Sequence, residues 1–190
     1  MVGVVGRRRA VMPLIATLVA AMMVLVASAN YLVQFPINDW LTWGALTYPV
    51  SYFVTDLANR LRGPQAARRV VWAGFVLAVA VSIVLAGPRI ALASGTAFLV
   101  SQMLDIRVFD RLRRRGWWQP PLFSSVIGSA VDTLLFFALA FYATGVPWVT
   151  LAIGDYGVKV AIALVMLAPW WVSLRAGRRR ERASKATSDG

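Results

Sequence analysis

Apolar residues fall into six long blocks along this chain, joined by short polar segments: Val11–Ala29, Trp40–Ala58, Val70–Ala86, Ile90–Leu104, Leu122–Tyr142 and Leu151–Leu174. An α-helix rises about 1.5 Å per residue, so about 20 residues cross a bilayer's hydrocarbon core. Five of the blocks meet or approach that length. The fourth is shorter and carries Ser94, Thr96, Ser101, Gln102 and Asp105, which predicts either a polar, inward-facing helix or a re-entrant one. No block alternates strictly between apolar and polar positions, so strands of a β-barrel are excluded. The pattern predicts an all-α, polytopic membrane protein built as a six-helix transmembrane bundle.

Charge placement sharpens this picture. Of the 20 Lys and Arg, all but Arg89 and Lys159 fall before the first block, between the second and third, between the fourth and fifth, or after the sixth. Those are alternate ends of six helices, and the positive-inside rule then puts both termini and both basic joints in the cytoplasm. The eight Trp lie at expected helix ends, Trp40, Trp43 and Trp148 outside and Trp72, Trp117, Trp118, Trp170 and Trp171 inside, as an interfacial aromatic belt would. The blocks divide the chain into a basic N-terminus over residues 1–10, the bundle over 11–176 and a charged tail over 177–190, expected to be disordered. Arg7–Arg9, an apolar run and Ala27-Ser28-Ala29 imitate a secretory signal, but the run is longer than usual and a retained first helix is the better reading.

Composition then removes whole classes of function. The 190 residues are 59% hydrophobic and 15% charged, with a mean hydropathy of +0.66 and a formal net charge of +12. Such basicity in a soluble domain suggests nucleic acid, but here it marks orientation, and nucleic acid is excluded as a partner. With no Cys and no His there is no disulfide, thiol nucleophile, zinc site or His-based triad. No GxxxxGK[ST] element is present to hydrolyse nucleotide. No cofactor, metal site or catalytic residue is expected.

Function must then reside in the few polar groups inside the helices, because an ionisable side chain in hydrocarbon costs about 2.5–3.5 kcal/mol on insertion scales. Asp132 lies at the centre of the fifth block, and Ser125, Ser129 and Asp132 share one stripe with Thr133 beside it. In the second block Pro49, Tyr52, Asp56 and Asn59 share a face, and Pro49 should kink the helix there and free a carbonyl. In the fourth, Ser94, Phe98, Ser101 and Asp105 line a stripe flanked by Gln102. The competing readings are bland ones: interhelical glue for the serines, an Asp56–Arg60 ion pair, and solvation of Asp105 or pairing with Arg107. Asp39 and Asp155 read as ordinary charges at the outer ends. A faint echo links Gln102-x-x-Asp105-x-x-x-Phe109 to Ser129-x-x-Asp132-x-x-x-Phe136, as transporter repeats do.

Leu46-Thr47-Tyr48-Pro49 with Thr55-Asp56 and Gly63, Ser101-Gln102-x-x-Asp105 with Phe109, and Ser129-x-x-Asp132-Thr133 with Phe136 and Ala140-Phe141 together resemble the VUT family. Its members are six-helix bacterial inner-membrane proteins regarded as queuosine-precursor transporters. The likeness spans residues 30–174. Many relatives have Glu at the position of Arg60 and Ser-Gln at Ser129-Ala130, and they tend to have Arg or Asn near Leu122 and Phe123.

The resemblance implies a small heterocyclic ligand such as 7-cyano-7-deazaguanine or its aminomethyl derivative. A guanine-like edge offers adjacent N–H donors that a carboxylate accepts as a pair. Asp132 or Asp56 would take that role, with Asp105 nearby, and Gln102, Asn59 and Ser129 would read the carbonyl and ring nitrogens. Tyr48, Tyr52 or Phe136 would stack on the ring. The three stripes are expected to converge on one midplane pocket. Membrane lipid is the surrounding, and a homo-oligomer is left open. Two alternatives stand beside a carrier, proton-coupled or not: a substrate-capture subunit of an energy-coupling-factor importer, docking through Ala16-x-x-x-Ala20, and an intramembrane hydrolase using Asp56 and Asp132.

Overall fold

The structure is a computed structural model that describes residues 2–186, with side chains described for 14–76, 79–80 and 82–176. Its elements in order are α1 (Val2–Leu32), β1 (Pro36–Asn38), β2 (Leu41–Thr42), α2 (Gly44–Thr47), α3 (Val50–Arg62), α4 (Pro64–Ala86), α5 (Pro88–Leu112), α6 (Gln119–Phe141), α7 (Trp148–Val165) and α8 (Leu167–Ala186). Three stretches among the described residues are long and apolar enough to cross a membrane: Leu14–Leu32, Gln119–Phe141 and Trp148–Ala176. The last runs through α7 and into α8.

Local chemistry explains where these helices stop. Gly63 and Gly87 take φ of 84° and 80°, which L side chains resist, and each ends a helix. Pro64 and Pro88 follow at the first turn of the next helix, where a missing N–H costs nothing. Pro49 does more than the expected kink: it lies between two separate helices, α2 and α3. The chain passes through i→i+3 bonds from Ser51 N–H to the Tyr48 carbonyl at 3.0 Å and from Tyr52 N–H to the Pro49 carbonyl at 3.2 Å, and then α3 begins.

The start of that block differs from the sequence reading. Trp40 does not open a helix. Pro36–Asn38 pairs antiparallel with Leu41–Thr42, and the Asn38 side chain accepts the Trp40 N–H at 2.9 Å to hold the turn. The hairpin lies on Gly154 of α7, where an added Cβ would stand 2.0 Å from the Trp40 carbonyl oxygen. Only glycine permits that approach. At the other end of the chain, the helix expected to give way to a disordered tail at Gly177 continues to Ala186. Residues 187–190, with Arg7–Arg9 and the basic side chains after Arg175, lie outside the described residues and side chains.

The fourth block lies within one unbroken helix of 25 residues, α5. α5 packs most extensively on α6 and also on α4, while α1 lies along α4 and α7 along α6. One apolar cluster joins Met22, Tyr52, Val70, Val71, Phe98 and Ile106; a second joins Ala97, Phe136, Phe137, Ala140 and Leu151. Trp170 belongs to the interior and not to the aromatic belt. It is 2% exposed, its Nε1 donates to the Trp117 carbonyl at 2.9 Å, and its edge meets the Phe109 ring.

Polarity is arranged inside out. Leu92, Leu134 and Ile153 are 65%, 62% and 62% exposed, whereas Thr55, Asn59, Gln102 and Asp105 are fully enclosed. A water-soluble bundle buries its leucines and exposes its acids. The reverse order suits hydrocarbon outside and polar contacts within. The chain is a membrane protein.

Candidate functional site

The predicted stripes do turn inward. Ser125, Ser129, Asp132 and Thr133 of α6, Ser94, Ser101, Gln102 and Asp105 of α5, and Tyr52, Asp56 and Asn59 of α3 are all buried. They do not converge on one pocket, however. They meet at two small cavities with Lys159 of α7 lining both.

The first cavity is built around Asp132. Tyr48, at the Pro49 break, donates its hydroxyl to Asp132 Oδ1 at 2.7 Å, and Ser101 reaches the same oxygen at 3.3 Å. Lys159 Nζ sits 2.8 Å from Asp132 Oδ2, 2.6 Å from Asp155 Oδ2 and 3.0 Å from Thr133 Oγ1, and Thr133 donates to Asp155 Oδ2 at 2.7 Å. The ammonium also lies 5.0 Å from the centre of the Tyr48 ring. Two carboxylates therefore share one cation, and the cluster keeps an unbalanced negative charge. Both bonds to Asp155 fall on Oδ2, so Oδ1 is its less engaged oxygen. Across the cavity, Asn30 of α1 donates to Ser82 at 2.5 Å and accepts from Ser94 at 2.5 Å, which ties α1, α4 and α5 together.

Asp155 and Lys159 correct the sequence reading, which treated both as outer-end charges. They are 6% and 3% exposed. Their i,i+4 spacing inside an apolar block was the signal: an acid and a base one helical turn apart can enter hydrocarbon as a pair. Asn30 was overlooked because it sits just past the end of its block.

The second cavity lies toward the end of the bundle where Arg60, Arg62, Arg107 and Arg111 cluster. Its lining includes Pro49, Tyr52, Asp56, Ser125, Ser129, Lys159 and Trp170. Asp56 does not pair with Arg60, nor Asp105 with Arg107, since both arginines point outward. Instead Ser124 donates to Asp56 Oδ1 at 3.3 Å, and the Asp56 and Asp105 carboxyl groups face each other across the α3–α5 contact. Neither Asp105 oxygen has a hydrogen-bond donor among the described residues.

Three predicted residues, Asp105, Gln102 and Asn59, line neither cavity, and the last two have helix-joining bonds instead. Gln102 donates to Ser51 at 3.1 Å and so fastens α5 to α3. Asn59 donates to the Ile106 carbonyl at 3.3 Å, and Arg113 clasps both its side-chain oxygen and its carbonyl. Those bonds make them connectors between helices in this conformation.

The cavities measure about 30 and 10 Å³. Spaces of that order hold water, and sites for drug-sized ligands run to about 300–1,000 Å³. The bundle is therefore closed here. Neither cavity has room for a ring-sized ligand, and the break at Tyr48-Pro49 separates α2 from α3 beside the first one.

Comparison with known proteins adds independent information. A family model described as "Putative vitamin uptake transporter" matches residues 42–173. The chain is 34% identical over 178 residues to the "Queuosine precursor transporter" of Escherichia coli (strain K12), covering 78% of this chain and 80% of that one. It is 33% identical over 186 residues to the "Probable queuosine precursor transporter" of Haemophilus influenzae, covering 76% and 79%. A Bacillus subtilis (strain 168) protein described in the same words is 30% identical over 174 residues, covering 75% and 76%. No solved structure matches the chain.

Proposed function

The chain belongs to the "Putative vitamin uptake transporter" family, and from that premise we propose that it imports a queuosine precursor, 7-cyano-7-deazaguanine or 7-aminomethyl-7-deazaguanine, across the bacterial inner membrane. All six apolar blocks cross the bilayer in this reading, with α2–α3 and α7–α8 each serving as one broken crossing. Both termini face the cytoplasm, because the basic residues gather at that end. The family is one of transporters, so the intramembrane-hydrolase alternative falls away. The geometry agrees, because Asp56 faces Asp105 and Asp132 is held by Lys159.

The observation that carries the reading is the cluster of two carboxylates and one ammonium against the first cavity. A deazaguanine presents an N–H and an exocyclic NH2 on one edge and a carbonyl beside them. Asp155 Oδ1 has lone pairs for those donors, and the Lys159 ammonium, whose three protons serve Asp132, Asp155 and Thr133, meets the carbonyl by giving up its longest bond, the one to Thr133. The cluster's surplus negative charge favours a ligand rich in donors, and the aminomethyl derivative adds a cation. Tyr48 and Phe136 flank the cavity as apolar walls for a flat ring. Asp132 acts chiefly by orienting Tyr48 and Lys159, since both its oxygens are already engaged.

The test is rescue of tRNA modification in cells that neither make nor import the precursor, supplied with 7-cyano-7-deazaguanine outside. Expression of this chain should restore modification, and Asp155→Asn and Asp132→Asn should each abolish the rescue at equal membrane abundance. Full rescue by both variants would remove the carboxylate part of the proposal. Rescue in a host lacking any energy-coupling ATPase separates a stand-alone carrier from a capture subunit.

A further inference from the structure

Assigning the Lys159 cluster to substrate leaves the Asp56–Asp105 pair without a task. Asp56 is 2% exposed and Asp105 is fully enclosed. The two carboxyl groups interact across the α3–α5 contact, and the Ser124 hydroxyl donates to Asp56 Oδ1 at 3.3 Å, with Ser125 also beside Asp56. Serine hydroxyls serve only the Asp56 side of the pair, and both oxygens of Asp105 remain without a donor among the described residues.

No cation nearby fills that gap. On α3, α4 and α5, Arg60, Arg62, Arg68, Arg69, Arg107 and Arg111 are exposed. Arg113 is bound to Asp110 and Asn59. Lys159, across the second cavity, is held by Asp132 and Asp155. Among the described residues the one other titratable group at hand is Tyr52, whose buried hydroxyl lacks a partner and whose side chain lines the cavity with Asp56. From α6 come only the uncharged Ser124, Ser125 and Ser129. Two bare carboxylates side by side in a water-poor interior repel each other and forgo hydration. A single proton between them removes one charge and supplies the missing donor.

We infer that Asp56 and Asp105 together form the binding site for one transported proton, whose uptake from outside and release inside drives import. The inference rests on the transport reading above. A carboxylate pair takes H⁺ from the outer solution to become one acid and one carboxylate, and later returns H⁺ to the inner solution. No bond of the substrate changes. The second cavity joins the two sites, with Asp56 and Tyr52 on one side and Lys159 on the other, so the pair's charge bears directly on the substrate cluster.

The experiment uses the full chain in proteoliposomes with radiolabelled 7-cyano-7-deazaguanine and the membrane potential clamped. An inward acid gradient of about one pH unit supports about tenfold accumulation for one proton per neutral substrate. Asp56→Asn and Asp105→Asn should exchange label against unlabelled compound within about twofold of wild type but reach no accumulation. Accumulation by either variant, or accumulation driven by a sodium gradient instead, would overturn the proposal. Failure of the wild type to exchange the label at all would defeat the substrate reading and leave the proton site to a second measurement. Infrared spectra at neutral pH should show a protonated-carboxyl carbonyl band that both asparagine variants remove and Asp132→Asn retains. Its absence from the wild type overturns the proton site whatever the substrate is. Should an asparagine variant not fold, Ser124→Ala keeps both carboxyls and should shift that band; an unmoved band counts against the pair.

Discussion

Two buried acid clusters hang from the same helix, and they balance their charge in different ways. Ser124 and Asp132 of α6 are eight residues apart, about 12 Å along the axis. Around Asp132, both carboxyl oxygens have donors: a tyrosine and a serine reach one and a lysine the other, all within 3.3 Å, and a threonine and the same lysine reach one oxygen of Asp155. Around Ser124, two carboxyl groups meet with one hydroxyl between them. The first cluster is a cross-bonded network whose members hold one another in place and leave Asp155 Oδ1 for a ligand. The second is incomplete as protein alone, and only something that arrives and departs can complete it. A ligand-reading site needs the rigidity of the first, and a site that must load and unload needs the deficit of the second.

The comparison breaks most visibly at Lys159. Replacing it with Met leaves Asp132 and Asp155 buried without a counterion, and losing one partner of a buried pair costs about 3–5 kcal/mol. Unfolding in mixed micelles should show a loss of that order, and uptake should vanish. Adding Asp155→Asn should recover part of the stability, because one unpaired charge goes with it. A Lys159→Met protein as stable as wild type would mean that the acids are not held by the lysine. Asp132→Asn is gentler. Lys159 keeps Asp155, and the amide oxygen still accepts from Tyr48, so about 2 kcal/mol is expected. The same substitution at Asp105 should change stability far less, because a neutral amide stands in for a group already without a donor. Equal losses at Asp132 and Asp105 would erase the contrast between the two clusters.

How much of this was legible in the sequence depends on the scale of the signal. The helices α4, α5 and α6 follow from blocks of apolar residues, and Gly63-Pro64 and Gly87-Pro88 mark where they join. The inward faces of α3, α5 and α6 follow from helical spacing, since Asp56, Asp105 and Asp132 each cost too much to face lipid. The hairpin at Trp40 was hidden because Trp40 and Leu41 are apolar, and only Asn38 and the backbone contact at Gly154 turn that run into a strand. The partnership of Lys159 with Asp132 was hidden for another reason. It joins residues 27 positions apart on neighbouring helices, and no one-helix periodicity reports on it. Trp170 shows the same limit: a tryptophan at a helix end reads as a membrane anchor until Phe109 and the Trp117 carbonyl are known to receive it.

Tyr48→Phe sharpens the comparison from the side of the paired cluster. It removes one donor to Asp132 and preserves the ring beside Lys159. Charge-assisted hydrogen bonds are worth about 1.5–3 kcal/mol, and those inside membrane proteins fall at or below the bottom of that range, so about 1.5 kcal/mol is expected. Uptake should weaken chiefly through a higher KM, because Lys159 and Asp155 stay in place to hold the ligand. A fall in maximal rate alone would instead give Tyr48 a part in the movement at the Pro49 break.

The smallest effect is expected at Ser124. Its bond to Asp56 is long, 3.3 Å, and its hydroxyl also reaches back to the Pro121 carbonyl at 3.4 Å. Average hydrogen bonds between membrane helices contribute about 0.6 kcal/mol, and Ser124→Ala should cost no more. The pH dependence of uptake should nevertheless move, because Ser124, with Ser125, is one of the two hydroxyls that stabilise an ionised carboxyl in the pair. Removing it favours the protonated pair, so proton release should become harder and the activity profile should shift toward higher pH. A stability change near zero with a displaced profile is what an incomplete cluster predicts. A stability loss near that of Tyr48→Phe with an unmoved profile would make Ser124 one more strut, and the two clusters would then be alike.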